Sequence, residues 1–389
     1  MKRDNTIIAI ILLVVMAGCR GNKQSTDDFI TVDVTKSYPK KELILQDFMD
    51  VEYIPLETND EFVTQSHVQA IGKTVIIVRN RNRDGDIFIF DRTTGAGIKK
   101  INRRGQGPEE YGTVQTMYLD EDKNEMFVND AYDSRKFLIY DFDGNYKRCI
   151  EFKEGYMYEF FYAYDSDNLI SNDYKFSMDS EKKSESFFIL SKQDGSIVKH
   201  IEIPIKQQKL AQVRVGNMSA SFLFFPVIRQ SGNWILTSSS SDTIFRYLPD
   251  HTMTPFIVRT PFIHSMNPEE FLFPGVLTDR YYFTVSIKKE FMPEAEADDY
   301  WPLPRNLMYD NQEKRIYEYT VYNNDFNKRI VDMYKRPVNE EIAFWDILEA
   351  YELVEAYEKG EIKDGKLKEI ASKMDAEDNP VIMIARHKK

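Results

Sequence analysis

A recurring β-hairpin is the feature of this sequence that most limits its fold. Similar hairpins start at Ile87, Phe137 and Phe187, and these starts are fifty residues apart. In each hairpin an alternating apolar run reaches a turn rich in Thr, Asp or Gly, and a second apolar run follows. This pattern is typical of antiparallel strands. Weaker copies start at Ile244 and Leu307, so the sequence predicts a repeat architecture.

Each repeat contains four short strands. Between successive hairpins lie two more strand-like runs, for example Val114–Leu119 and Met126–Asn129, which a charged turn separates. A four-stranded antiparallel unit of about 40–50 residues that recurs several times indicates a β-propeller, in which each twisted sheet buries both faces against its neighbours. A β-sandwich would not repeat so evenly. Five units are readable from His67 to Asn323.

The two ends of the chain predict a sixth blade. Strand-like runs lie before the first unit at Phe29–Val34 and Val51–Glu57, and after the last unit at Ile342–Ala350 and Pro380–Ala385. A ring of sheets loses its exposed edge when strands from both termini share one sheet. We therefore expect an all-β fold, a six-bladed β-propeller closed by N- and C-terminal strands. The apolar pattern over residues 351–376 predicts two short helices inserted in the last blade.

The first residues have the shape of a secretory signal. Two basic residues precede an apolar run from Ile7 to Val15, which is far shorter than the roughly 20 residues that a membrane span needs. The Met-Ala-Gly-Cys sequence ending at Cys19 resembles a bacterial lipobox, in which the cysteine becomes diacylated and N-acylated after cleavage. An ordinary signal peptide and a short buried helix are the alternatives. We predict a lipoprotein signal peptide at 1–18, a lipid on Cys19, a tether at 19–28 and a propeller at 29–389.

The net charge argues against a general nucleic-acid binder. The chain has 63 acidic and 51 basic side chains, which gives a formal net charge of −12. Binding to a phosphate backbone needs a concentrated cationic face instead. With 42% apolar residues, the chain is also too apolar to be disordered. We expect a monomer that binds a membrane through lipidated Cys19 and binds no nucleic acid.

Three segments resemble the Bacteroides-type six-bladed β-propeller lipoproteins. They are Val51–Thr58, Arg104–Tyr111 and Asp378–Met383. The resemblance covers nearly the whole mature chain and implies a propeller similar to NHL-type propellers, whose usual work is binding. It implies no catalytic residues, because these motifs are specific to the family and not to an activity. The sequence departs from the family at Glu109, where many relatives have a second Gly.

The residues after Cys19 bear on which membrane surface the chain would occupy. In Bacteroides-type lipoproteins, acidic residues directly after the cysteine tend to mark surface display. Here Arg20, Gly21, Asn22 and Lys23 follow it. We therefore expect a lipid-anchored, extracytoplasmic protein on a periplasm-facing membrane, with the outer membrane as the alternative.

The Gly105–Glu110 loop is one candidate ligand site. It joins the outer strand of one predicted blade to the inner strand of the next. Its two glycines and its proline favour a connector that satisfies its own backbone amides. In the functional interpretation the loop presents polar groups near the mouth of the channel. The candidate ligand-binding residues are Arg103, Arg104, Gln106 and Glu110.

An acidic and aromatic insertion, Lys288–Pro304, interrupts the fifth unit. Loops held by a rigid scaffold often carry recognition. Tyr300 and Trp301 could stack on sugar rings or contact a cationic partner, which makes them candidate ligand-binding residues. The alternative is a solvated loop whose Trp301 packs back onto the blade.

Local spacing shows neither a catalytic nor a metal-binding set. Asp84–Asp86 and Asp141–Asp143 hold paired carboxylates, but both are good turn sequences and neither supplies the six to eight oxygens that calcium needs. We expect no catalytic residues, no metal ligands and no cofactor. Asp242-Thr243-Ile244 resembles a short O-glycosylation sequence of Bacteroides-type secreted proteins, so Thr243 is a candidate glycosylation site. A polar turn is the alternative there.

Two classes of function stay open. The first is a membrane-anchored, non-catalytic binding or scaffolding module for a protein or a glycan. The second is a metal-dependent hydrolase or lyase, similar to lactonase-type propellers, with a divalent cation such as Ca²⁺ in the central channel. Ligands supplied one per blade are invisible to local spacing. Carboxylate, Asn or His side chains that converge on the axis would favour the second class.

Overall fold

The computed structural model describes residues 29–80, 84–173, 184–215, 218–290 and 304–388. The predicted signal peptide, Cys19 and the tether lie outside the described residues, as do Tyr300 and Trp301. Besides a separate two-stranded hairpin, the described chain, which is mostly β-strand, forms six sheets that follow one another along the sequence. These sheets confirm the predicted six-bladed propeller, and we call them blades 1 to 6.

The first half of the chain contains an N-terminal segment and three regular blades. The N-terminal segment consists of β1 (Ile30–Asp33), β2 (Lys40–Ile44), helix α1 (Leu45–Phe48) and β3 (Met49–Pro55). Blade 1 consists of β4 (His67–Ile71), β5 (Val75–Arg79), β6 (Asp86–Asp91) and β7 (Gly97–Asn102). Blade 2 consists of β8 (Val114–Asp120), β9 (Glu125–Asp130), β10 (Asp133–Tyr140) and β11 (Tyr146–Glu151). Blade 3 consists of β12 (Tyr158–Ala163), β13 (Asn168–Asp173), β14 (Ser184–Ser191) and β15 (Ile197–Pro204).

The second half contains a separate hairpin and three further blades. The hairpin consists of β16 (Gln212–Val215) and β17 (Met218–Ser221). Blade 4 contains β18 (Val227–Gln230), β19 (Asn233–Leu236), β20 (Thr243–Tyr247) and β21 (Met253–Thr260). Blade 5 contains β22 (Glu270–Leu277), β23 (Tyr281–Lys288), β24 (Arg305–Asp310), β25 (Arg315–Asn323) and the short β26 (Arg329–Val331). Blade 6 contains β27 (Ile342–Leu348) and β28 (Val381–His387), with helices α2 (Ala350–Glu358) and α3 (Lys366–Ala371) between them, and it is completed by β3.

Blade 6 closes the ring as predicted. Strand β28 lies between β27 and β3, and its register with β3 runs from Val381 opposite Pro55 to His387 opposite Met49. The two helices inserted after β27 were also predicted. Gly360 follows α2 with a φ of +70°, a backbone conformation that glycine adopts without strain.

The first two strands lie in a different place from β3. Strand β1 pairs in parallel with β21 at the outer edge of blade 4, and β2 pairs in parallel with β25 at the outer edge of blade 5. The sequence pattern predicts that the Phe29–Val34 run belongs to the closing blade. This prediction is wrong, because β1 pairs with β21 of blade 4 instead. We call residues 30–44 the N-terminal strap. It covers strand edges whose N–H and C=O groups would otherwise lack partners.

The apolar core lies between neighbouring blades. In blade 1, Ile76 and Phe88 pack towards blade 6, whereas Ile77 and Ile87 pack towards blade 2. Successive strand residues point to opposite faces, and here both faces are buried. This explains why the strands read as nearly continuous apolar runs rather than as strict alternation.

Candidate functional site

A cavity of about 680 Å³ lies where the inner strands of several blades end. Its lining includes the ends of β4, β8 and β12, side chains of β18 and β19, and the segment that leads into β27. Five of the six blades thus contribute described residues. Because each blade supplies only a few of them, ring closure creates the site, and no single stretch of sequence shows it.

Arg229 and Trp234 of blade 4 line one wall of the cavity, and both contact Tyr164 of blade 3, which lies outside the lining. The rings of Tyr164 and Trp234 stack with centroids 5.3 Å apart, and the Arg229 guanidinium lies 5.1 Å from the Trp234 centroid. Arg229 Nη1 donates to the Tyr164 carbonyl oxygen at 3.2 Å, and its Nε lies 3.2 Å from a carboxylate oxygen of Glu340. The positive charge of Arg229 is therefore balanced within the protein.

A second cation of the lining is also paired. Lys192 Nζ donates to Asp120 Oδ2 at 2.9 Å and to the Ser166 carbonyl oxygen at 3.2 Å. Both charged side chains are more than 90% buried. The ammonium lies 5.1 Å from the centroid of the Tyr118 ring, so one buried lysine joins blades 2 and 3 at the cavity.

Arg336 differs from these two cations. Its half-buried guanidinium lies 5.5 Å from the ring centroid of Phe160 and 5.8 Å from that of Tyr162. In the part of the chain that the structure describes, it forms no hydrogen bond or ion pair. Trp345, also partly exposed in the lining, stacks on no described ring.

The segment that carries Arg336 is fixed on both sides of this residue. Tyr334 packs against Phe222 and Phe225 with ring centroids 5.4 and 5.3 Å apart, and its hydroxyl donates to the Leu223 carbonyl oxygen at 2.9 Å. Burial raises the pKa of Tyr334 well above its ordinary value, so the hydroxyl stays a donor. Pro337 follows Arg336 directly and limits the backbone there.

The predicted loop residues lie elsewhere, between blades 1 and 2. Arg103, Arg104, Gln106 and Glu110 are all exposed, and none is among the residues that line the cavity. The Arg103 Nε donates to the Gly144 carbonyl oxygen at 2.9 Å. Ligand binding by these four residues stays a prediction, and they lie on an exposed loop outside the cavity lining.

The loop also satisfies its own backbone, as the connector interpretation requires. Gly105 N donates to the Tyr111 carbonyl oxygen at 3.1 Å, and Gly107 N donates to Glu110 Oε2 at 2.9 Å. The buried Tyr111 hydroxyl donates to the Gly85 carbonyl oxygen at 2.7 Å. This family-like segment therefore ties blade 1 to the start of blade 2.

The other two family-like segments meet at the ring closure. Asn379 N donates to Thr58 Oγ1 at 2.7 Å, and Asn379 Nδ2 donates to the Glu57 carbonyl oxygen at 2.6 Å. Its Oδ1 accepts a bond from Thr64 N at 3.0 Å. The buried Asn379 side chain thus joins the chain before β28 to the chain after β3.

The candidate glycosylation sequence begins strand β20. Asp242 accepts hydrogen bonds from Arg259 Nη2 and, at 2.7 Å, from Ile263 N. Thr243 beside it is partly buried. The aspartate therefore has a structural role, and glycosylation of Thr243 stays a prediction.

Among the paired aspartates of the sequence, Asp84 and Asp141 accept hydrogen bonds from backbone N–H groups just after them, as turn residues do, whereas Asp86 begins strand β6. Asp84 Oδ1 accepts a bond from Asp86 N at 2.9 Å, and Asp141 Oδ1 accepts bonds from Asp143 N at 3.0 Å and Asn145 N at 2.8 Å. Among the described residues, no three His, Cys, Asp or Glu side chains come together as metal ligands would. No helix in the described ranges is long and apolar enough to cross a membrane.

Six sheets in a ring around a cavity define a six-bladed β-propeller. Residues 29–386 match the family model described as "Domain of unknown function (DUF4934)". The chain belongs to the DUF4934 family. No curated protein matches it.

Two of the similar solved structures come from Bacteroides. One is a Bacteroides fragilis protein named "Putative exported protein", which is 14% identical, covers 90% of this chain and 99% of its own, and superposes with a TM-score of 0.58. Another is a DUF4221 member from Bacteroides vulgatus, which is 11% identical and covers 88% of this chain and 98% of its own, with a TM-score of 0.46. At these identities the first likeness shows the fold alone. The fold and the family match the resemblance noted in the sequence.

Proposed function

We propose that this protein is a non-catalytic binding module, anchored to a membrane outside the cytoplasm, whose central cavity holds part of a protein or glycan ligand. The observation that carries this proposal is the cavity itself. Its volume of about 680 Å³ lies within the range of about 300–1,000 Å³ that is usual for ligand pockets. Its lining combines aromatic rings with charged groups, a mixture suited to recognition.

The location outside the cytoplasm is supported by two independent features. The lipobox-like sequence before Cys19 would direct export and lipid attachment. The Bacteroides fragilis neighbour carries a name that describes export. Radiolabelled palmitate should be incorporated into the wild-type chain and not into a Cys19→Ala variant, which should leave the membrane fraction. Equal labelling of both chains would contradict the anchor.

Binding can be tested on a soluble form in which Cys19→Ser prevents lipid attachment. This form would be used to capture proteins and to probe a glycan array. Trp345→Ala removes an aromatic ring from the cavity lining, and Tyr132→Ala removes a ring that is 80% exposed outside that lining. We expect the first substitution to abolish capture of the ligand and the second to leave it unchanged. If both variants capture the ligand as wild type does, the cavity is not the site.

A further inference from the structure

We propose that Arg336 binds the carboxylate of an acidic saccharide, a glycan that contains a uronic acid, in the central cavity. This inference rests on the proposed binding function and names the class of ligand.

The other cations of the lining all have carboxylate partners. Lys73 and Lys192 each lie 2.9 Å from an aspartate oxygen, and Arg229 lies 3.2 Å from a glutamate oxygen. Arg336 has no such partner among the described residues. An unpaired cation that is partly withdrawn from water costs free energy, so a ligand that supplies the missing anion would gain from this site.

The nearby carboxylates are engaged by other cations. Glu340 pairs with Arg229, and Glu341 lies 3.6 Å from Arg386. The guanidinium of Arg336 instead lies near the Phe160 and Tyr162 rings. An arginine presents a planar fork of N–H donors that matches the two oxygens of a carboxylate. The aromatic neighbours and the fixed backbone hold the guanidinium in this orientation even without a ligand.

The charge of the whole lining favours a ligand with few negative charges. Six carboxylates and four cations line the cavity, so its net charge opposes a nucleotide or another polyanion. A short saccharide with a single carboxylate and neutral hydroxyls elsewhere suits this balance. The partly exposed rings of Trp345 and Tyr118 line the same cavity, and aromatic faces can pack on the apolar face of a sugar.

The experiment measures binding of defined saccharides by calorimetry to the soluble Cys19→Ser form. The probes are disaccharides in which one ring is galacturonate, glucuronate or mannuronate, with the carboxyl-reduced neutral form of each. We expect at least one acidic disaccharide to bind at least tenfold more tightly than its neutral counterpart. Arg336→Gln should remove that preference, and Arg336→Lys should restore part of it because the charge returns without the fork. Thermal unfolding midpoints of the variants should stay near that of wild type.

A matched control is Arg135→Gln, which removes an arginine that is 55% exposed and lies outside the cavity lining. Its binding should equal that of wild type, and an equal loss of binding in this variant would show that the effect is not specific to the cavity arginine and would overturn the inference. Equal binding of acidic and neutral sugars would overturn the ligand class and leave the binding function standing. Binding of a polyglutamate peptide through Arg336, with no sugar bound, would also overturn the class. If neither these probes nor captured proteins and glycans bind at the cavity, both proposals fail.

Discussion

The anchorage of the N-terminal strap on blade 5 gives a quantitative test of the fold. Asp310, at the end of β24, has a completely buried side chain. Its Oδ2 accepts hydrogen bonds from Lys41 Nζ of the strap at 2.9 Å and from Arg280 Nη2 at 3.1 Å. Its Oδ1 accepts bonds from the backbone N–H groups of Gln312 and Glu313 at 2.9 and 3.1 Å. One carboxylate therefore joins the strap, a turn and a neighbouring arginine.

The Asp310→Asn substitution should destabilise the protein by about 2–4 kcal/mol. The amide oxygen can keep the two backbone bonds, but two charge-assisted bonds, each contributing about 1.5–3 kcal/mol, lose their anion. The sum of about 3–6 kcal/mol is reduced to about 2–4 kcal/mol because Arg280 is 38% exposed and its charge is partly screened by water. For a ring of about 360 residues, the usual entropy of unfolding converts this loss into a fall of about 3–5 °C in Tm.

Thermal unfolding followed by circular dichroism at pH 7 would measure this fall. The control is Asp122→Asn, because the Lys73–Asp122 pair has the same 2.9 Å distance while its side chains are 69% and 81% exposed. An exposed pair contributes little because water screens its charges, so this variant should lose about 1 °C or less. Equal falls in Tm for the two variants would refute the reasoning that burial sets the contribution.

The same carboxylate predicts a pH dependence. Burial alone would raise the pKa of Asp310, but the hydrogen bonds from Arg280 and Lys41 outweigh burial and hold this pKa far below its ordinary range. A depressed carboxyl pKa stabilises the fold above the unfolded pKa of about 3.9, and this contribution is lost as the pH falls below that value. The Tm difference between wild type and Asp310→Asn should therefore shrink between pH 5 and pH 3. A constant difference would contradict the assignment.

Three further substitutions test the ring closure and its surroundings. Gly95→Ala should lower the free energy of unfolding by more than about 3 kcal/mol, because a Cβ there would lie 1.9 Å from the Pro55 carbonyl oxygen. The control is Gly232→Ala, which has the same φ of +76° with open space around it and should cost about 1 kcal/mol. Equal losses of stability would refute the steric cause. Asn379→Ala leaves three backbone groups without its hydrogen bonds and should cost about 3–5 kcal/mol in urea unfolding, whereas a cost below 1 kcal/mol would contradict its role. Burial lowers the pKa of His387, so the folded state favours the neutral imidazole. The wild-type Tm should therefore fall as the pH drops below about 6.5. A His387→Gln variant with the same fall would exclude this histidine as a cause.

The repeats could be predicted from the sequence because their strands carry their own pattern. The first of the five predicted units starts at His67, where β4 begins, and the last ends at Asn323, where β25 ends. Asp-Gly and Thr-Gly turns between apolar runs mark each hairpin locally. Closure by the two termini followed from the cost of leaving strand edges unpaired.

The strap and the cavity could not be predicted in the same way. The sequence Lys40–Ile44 has little apolar periodicity, and its strand conformation depends on pairing with β25. Arg336 and Trp345 lie far along the chain from Tyr162 and reach the same cavity only because the ring closes. A half-buried arginine without a partner leaves no signature in local spacing, since its environment comes from other blades.

The N-terminal strap also implies a late order of assembly. Its first strand pairs through Ile30 with Ile257, and its second pairs through Lys40 with Glu318. The ribosome synthesises these partners only after several blades have emerged. The two strands of the strap therefore stay unpaired until the strands of blades 4 and 5 have been made. Pairings between residues so distant in sequence are slow to form. Blades 1 to 3 can collapse early, whereas the outer edges of blades 4 and 5 can be completed only near the end of synthesis.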